Sequence, residues 1–190
     1  MRVLIAGLIG GIVMFAWGAV AHTVLPLGEM GMKFAAGQDA VISALQSGVE
    51  QQGEGVYMMP GMPQEQWQDE AAMQSFREKY ASSPYAFVIY QPGGNPAVAD
   101  MTPNLIKQFV SDTIAALLAA WVLSLGAWGF GRRVLIAVGM GLFAWLNVSV
   151  PYWNWYLFPT DFTLGSLIEQ AVGWLLAGSA IAWWLGRKGR

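Results

Sequence analysis

Apolar and polar positions divide this chain into four long apolar stretches and one extended polar interval. Residues 1–21, 103–130, 134–150 and 162–186 are the apolar stretches. A bilayer core about 30 Å thick needs about 20 apolar residues in helical form, so each predicts a transmembrane helix. The first has no charge between residues 3 and 21. The second opens on Thr102-Pro103, a hydroxyl cap followed by proline at the first helical position, and carries Asp112 as its one mid-span charge. Gly131-Arg132-Arg133 reads as a tight connection to the third stretch, and 151–161 as an aromatic outer loop before the fourth. Residues 187–190 form a basic tail.

The polar interval, 22–102, alternates short patterns. Residues 39–51 place Val41, Ile42, Leu45 and Val49 on one helical face. Residues 55–59 read as a strand, and 63–80 as a helix with Ala72, Met73, Phe76 and Tyr80 along its apolar stripe. Residues 85–90 (YAFVIY) read as a second strand closed by Pro92-Gly93-Gly94. Two strands joined through a helix predict a parallel pair with a right-handed crossover. The expected fold is therefore mainly α: a four-helix transmembrane bundle with a small α/β insertion between its first and second helices. So small an insertion has little core of its own and is expected to rest on the bundle or a partner.

Charge sets a direction. With four alternating spans, Arg2, Arg132, Arg133, Arg187, Lys188 and Arg190 all fall on one side, and every acidic residue falls on the other or within a span. The positive-inside rule then predicts a multi-pass plasma-membrane protein (inner membrane in a bacterium) with both termini cytoplasmic and residues 22–102 extracytoplasmic. The first span has a competing reading as a cleaved signal peptide, since Ala19-Val20-Ala21 precedes His22. Its length favours retention.

Composition narrows the function classes. Only 12% of the 190 residues are charged, about half the usual share of a soluble domain. The net charge of −2 argues against nucleic acid, whose phosphates call for a basic surface. Cysteine is absent, which excludes disulfides and thiolate chemistry.

Small residues recur at helical spacing in all four spans: Gly7, Gly11 and Gly18; Ala115, Ala119 and Gly126; Ala137, Gly141 and Ala144; Gly165, Gly173, Ala177 and Ala180. Such stripes let helix backbones approach closely, so they are expected to face one another. Each then delivers a polar side chain near the outer third of the membrane: His22, Asp112 (with Gln108), Asn147 and Glu169. Intramembrane acids normally point inward and are paired. The four residues are read either as a network fixing helix register or as a site for a proton, an ion or a small ligand. A divalent metal held by one imidazole and two carboxylates is a weaker variant.

Met30, Met32, Met58, Met59 and Met62, together with His22, contain donors suited to Cu(I), but methionine is also a common filler of irregular apolar gaps. Tyr152, Trp153, Trp155 and Tyr156 fit an aromatic belt at a headgroup boundary, or with Trp67 a docking surface. No phosphate-cradling glycine loop, paired zinc histidines or nucleophile elbow occurs, so catalysis is disfavoured and no cofactor is implied. The leading expectation is a non-catalytic subunit that assists or assembles a membrane complex, its partners being the bilayer and other membrane subunits or further copies of itself. A small transporter, channel or sensor comes second, and a membrane enzyme or copper-handling protein third.

Overall fold

The computed structural model of the chain describes residues 1–187, so Lys188, Gly189 and Arg190 of the basic tail lie outside the described residues. The described residues form helices α1 (Arg2–Thr23), α2 (Gln38–Val49), α3 (Glu70–Tyr80), α4 (Thr102–Ser124), α5 (Phe130–Tyr156) and α6 (Thr160–Gly186). Strands β1 (Gly55–Met59) and β2 (Ala86–Tyr90) complete them. α1, α4, α5 and α6 are each long and apolar enough to cross a membrane. The protein is mainly helical with one two-stranded sheet. It divides into a helical unit, Met1–Lys33 with Ala97–Arg190, and a smaller unit, Phe34–Pro96.

In the helical unit α1 packs between α4 and α6, and α6 carries α5 on its other side. The expected small-residue stripes explain much of this, because the atoms that replace their missing side chains belong to neighbouring helices. A Cβ on Gly7 would come 2.7 Å from the Leu117 Cα, and one on Gly11 would come 2.7 Å from the Thr113 Cα, both in α4. A Cβ on Gly173 would meet Met14 and Trp17 of α1, and one on Gly178 would overlap Ala137 of α5. Glycine costs an α-helix about 1 kcal/mol relative to alanine, and here close backbone approach offsets it. Not every predicted position takes part: Gly18 has open space around it, Ala144 is exposed, and Gly126 lies beyond the end of α4. The core gathers Ala6, Ala116, Ala119, Ala120, Leu123, Ala137, Trp174 and Ile181. The buried residues of α4 and α5 all lie in the halves nearer the turn that joins them.

Several expected boundaries move. α4 stops at Ser124 rather than 130, because Gly126 opens a turn whose space is taken by the Trp128 indole. Gly131-Arg132-Arg133 is no connection but part of the first turn of α5. The expected outer loop at 151–161 is largely helix as well. α5 runs through Pro151 to Tyr156, and the chain reverses in three residues at Leu157, whose φ of 57° is left-handed. Proline inside a helix removes one intrahelical N–H and crowds the carbonyl four residues back, at a cost of about 3 kcal/mol, yet α5 continues past it.

The smaller unit holds α2, α3 and the sheet, with a correction to the strand direction. β1 and β2 are antiparallel, with Val56 opposite Ile89 and Met58 opposite Phe87. A parallel pair is slightly weaker and normally needs both faces covered, which one short helix cannot do. α3 begins seven residues later than the sequence pattern suggests. Asp69 supplies the cap, accepting from the Ala71 and Ala72 N–H groups at 3.0 and 3.1 Å, while 64–66 forms a separate 3-10 turn. Buried side chains are scarce: in the described elements of this unit only Val49 falls below the surface.

At the start of α4, Asp100 accepts the Thr102 N–H at 2.9 Å, and this backbone bond, with the Thr102 hydroxyl, holds its carboxyl below the usual range. A depressed carboxylate pKa adds stability that is present above the unfolded value and lost as pH falls through the folded one. Protection of the Thr102 amide, measured against its intrinsic exchange rate at each pH, is therefore expected to fall on acidification below the ordinary aspartate range. Asp100→Asn should flatten that dependence, and an unchanged profile would contradict the assignment.

Candidate functional site

The polar residues expected on the inner stripes separate into two groups. His22, in the last turn of α1, places its Nε2 3.1 Å from Oε1 of Glu169 in α6. The turn at Pro26–Glu29 folds back over the imidazole so closely that any Cβ on Gly28 would overlap the ring. The same segment reaches α6, where a Cβ on Gly165 would come 3.1 Å from the Leu27 carbonyl oxygen. Trp17 donates its indole N–H to the Glu169 carbonyl at 3.0 Å, fixing the α6 backbone beside the pair.

Asp112 joins this neighbourhood from α4. Its Oδ1 accepts from Gln108 Nε2 at 2.8 Å, and the carboxylate lies within electrostatic reach of Glu169. It stands one helical turn from buried Ala116, on the face turned toward the core. Asn147 does not join. It is exposed and returns its Nδ2 to the Phe143 carbonyl of its own helix at 2.9 Å. Six residues beyond Gly141 it is rotated about 120° away from the face that packs on α6.

The side chains of His22 and Glu169 are 53% and 30% exposed, so the pair lies in an open recess. A polar contact this accessible contributes at most about 1 kcal/mol and has room to exchange its partner. One imidazole, two carboxylates and a carboxamide can bind and release a proton or a small polar group. Among the described residues no three His, Cys, Asp or Glu side chains are placed so that they could hold a metal ion.

The methionines are divided between the units. In the helical unit Met30 packs on Gly165, while Met32 is exposed. In the smaller unit Met58 and Met62 line an open apolar groove of about 490 Å³ together with Trp67, Met73 and Phe76. Trp67 is 57% exposed and donates its indole N–H to the Met62 carbonyl at 3.2 Å. Met59 closes β1 opposite Ala86. The thioethers of the groove sit among aromatic side chains, a packing environment.

The aromatic residues at the end of α5 are exposed, Trp155 most of all. Tyr152 meets Tyr156 at a tilt and Phe158 edge-on, and Trp153 donates to the Thr160 hydroxyl at 3.2 Å across the turn into α6. Sequence reasoning passed over Trp17 and Gly28. Neither has a signal of its own, because ten tryptophans and twenty-three glycines leave no spacing that singles these out. No family model matches this chain, and neither the curated proteins nor the solved structures compared with it give a match.

Proposed function

We propose that this is a multi-pass membrane protein that works by association, as an accessory or assembly subunit of a membrane complex, with the smaller unit on the extracytoplasmic side. The observation that carries this reading is the sheet of the smaller unit. Val56, Met58 and Ile89 stand on one face and remain 61%, 44% and 76% exposed, beside the groove lined by Trp67 and Phe76. A two-stranded sheet is marginal by itself, and an apolar face left open on it is the kind of surface a partner protein covers. Charged side chains at the basic end and acidic ones elsewhere support the assigned orientation. A photo-crosslinking residue placed at Ile89 in intact cells tests the proposal. A discrete protein adduct is expected; labelling of lipid alone, or none, would remove the basis for a subunit role.

A second reading is favoured by the contact between His22 and Glu169, with Asp112 close by: a proton or small polar ligand exchanging at this recess. For purified protein in liposomes loaded with a pH-sensitive dye, this reading expects proton flux in the wild type and at least a ten-fold loss in Glu169→Gln, the usual weight of a placed proton carrier. No flux in either sample would discard it.

A further inference from the structure

At one end of the helical unit the sequence places only positive charge. No aspartate or glutamate occurs in 1–28, 113–160 or 170–190. Arginines from three helices meet there around the last turn of α6. Arg2, the first residue of α1, donates its Nη2 to the Leu185 carbonyl at 3.1 Å and also to the Arg187 carbonyl. Arg133 of α5 donates its Nε to the Leu123 carbonyl at 3.2 Å and borders Gly186, where a Cβ would lie 3.9 Å from its Nη1. Arg187 lays its guanidinium over Trp183 and Trp184 at 4.8 and 5.2 Å, and Arg132 approaches Trp128 at 5.9 Å.

Helix capping explains part of this, since cations favour the carbonyl end of α6. It does not explain the remainder. α5 starts at the same end, and its first turn holds Arg132 and Arg133 with no acidic residue and no capping side chain. There the helix dipole opposes cations and favours an anion. A guanidinium has five N–H donors in a planar fork. The carbonyl bonds of Arg2 and Arg133 each engage one nitrogen. Arg2 and Arg187 are exposed, so their other donors can reach a ligand.

We infer that Arg2, Arg133 and Arg187 form a binding site for a phosphate oxyanion. The fork geometry of arginine suits phosphate oxygens bidentately, and one such anion would relieve the repulsion among three convergent cations. The adjacent indoles of Trp183 and Trp184 set the site at the level where phospholipid headgroups lie, if the helices span a bilayer. An anionic phospholipid headgroup and inorganic phosphate share this chemistry.

Native mass spectrometry of the full chain in mild detergent, with phosphatidylglycerol, phosphatidylcholine or inorganic phosphate added, tests the site. Phosphatidylglycerol is expected to bind about ten-fold more tightly than phosphatidylcholine, a preference of the size a few interfacial arginines give. R2Q/R187Q should reduce the ratio to about two-fold, whereas R77Q/K79Q, with the same change in charge in the smaller unit, should leave it intact. Displacement of the lipid by millimolar phosphate would show a site for the free oxyanion as well; no displacement would assign it to lipid. Equal binding of both lipids with no phosphate bound, or an unchanged ratio in a folded R2Q/R187Q, would overturn the inference. If that variant fails to fold, R2K/R187K keeps the charges without the forks and is expected to lose about three-fold in the ratio; an unchanged ratio there overturns it equally.

Discussion

Replacing Gly7 and Gly11 together by alanine is expected to destabilise the helical unit by about 3 kcal/mol, although both changes favour helix formation. Two glycine-to-alanine changes raise intrinsic helix preference by about 2 kcal/mol in total. Against this, each new methyl meets backbone: the Leu117 and Thr113 Cα atoms at 2.7 Å. Backbone cannot rotate aside as a side chain does, so α1 and α4 must separate along much of their contact. Overpacking a tight interface costs about 1–3 kcal/mol per site, and separation also removes the contacts of Phe15 with Phe109. Gly18 supplies the internal comparison. With nothing within 4 Å of its would-be Cβ, Gly18→Ala should be neutral or stabilising by up to about 1 kcal/mol. Thermal unfolding of the purified protein in mild detergent reads both. A G7A/G11A variant as stable as the wild type would mean that the α1–α4 contact is looser than described.

The second large effect concerns association rather than stability. Val56 and Ile89 face each other across the two strands and are both exposed, so V56E/I89K substitutes an opposite-charge pair for an apolar one. Opposite charges at such a pair contribute about 0.2–1 kcal/mol, enough to retain the hairpin. The apolar face, in contrast, is lost. If a partner covers this sheet, burying a charged pair without new bonds costs several kcal/mol, and recovery of the adduct from a crosslinking residue at Met58, on the same face, should fall at least ten-fold. Circular dichroism should stay unchanged. Undiminished crosslinking from a correctly folded variant would show that the partner does not use this face.

The helical unit is legible in the sequence because long apolar runs with few charges, in period with small residues, have few alternative structures. The cores of all four long helices stand where the apolar runs put them. What failed lay at their ends. Gly131-Arg132-Arg133 and Pro151 carry residues that usually mark turns, yet both fall inside α5, the first in its opening turn and Pro151 five residues before its end. Strand direction in the smaller unit was decided by which pairing could stand with one face uncovered, a tertiary question that spacing cannot answer. Of the polar residues, His22, Asp112 and Glu169 could be placed by counting turns from small neighbours. Asn147 could not, because six residues carry it off the face that Gly141 marks. The lid of Gly28 over His22 depends on a chain reversal after α1 that has no periodic signature.

The four long helices are unequal. At 1.5 Å per residue, the 27 residues of α5 and of α6 each extend about 40 Å, against about 33 Å for the 22 of α1. If these helices span a bilayer, a thickness that fits one pair leaves the other too long or too short, and the molecule must lean or deform the lipid around it. The longer hairpin ends in tyrosines and tryptophans, which resist withdrawal into hydrocarbon. Bilayer thickness would then act on the angle between the α1–α4 pair and the α5–α6 pair, and so on how far the α4 side stands from the α5 side.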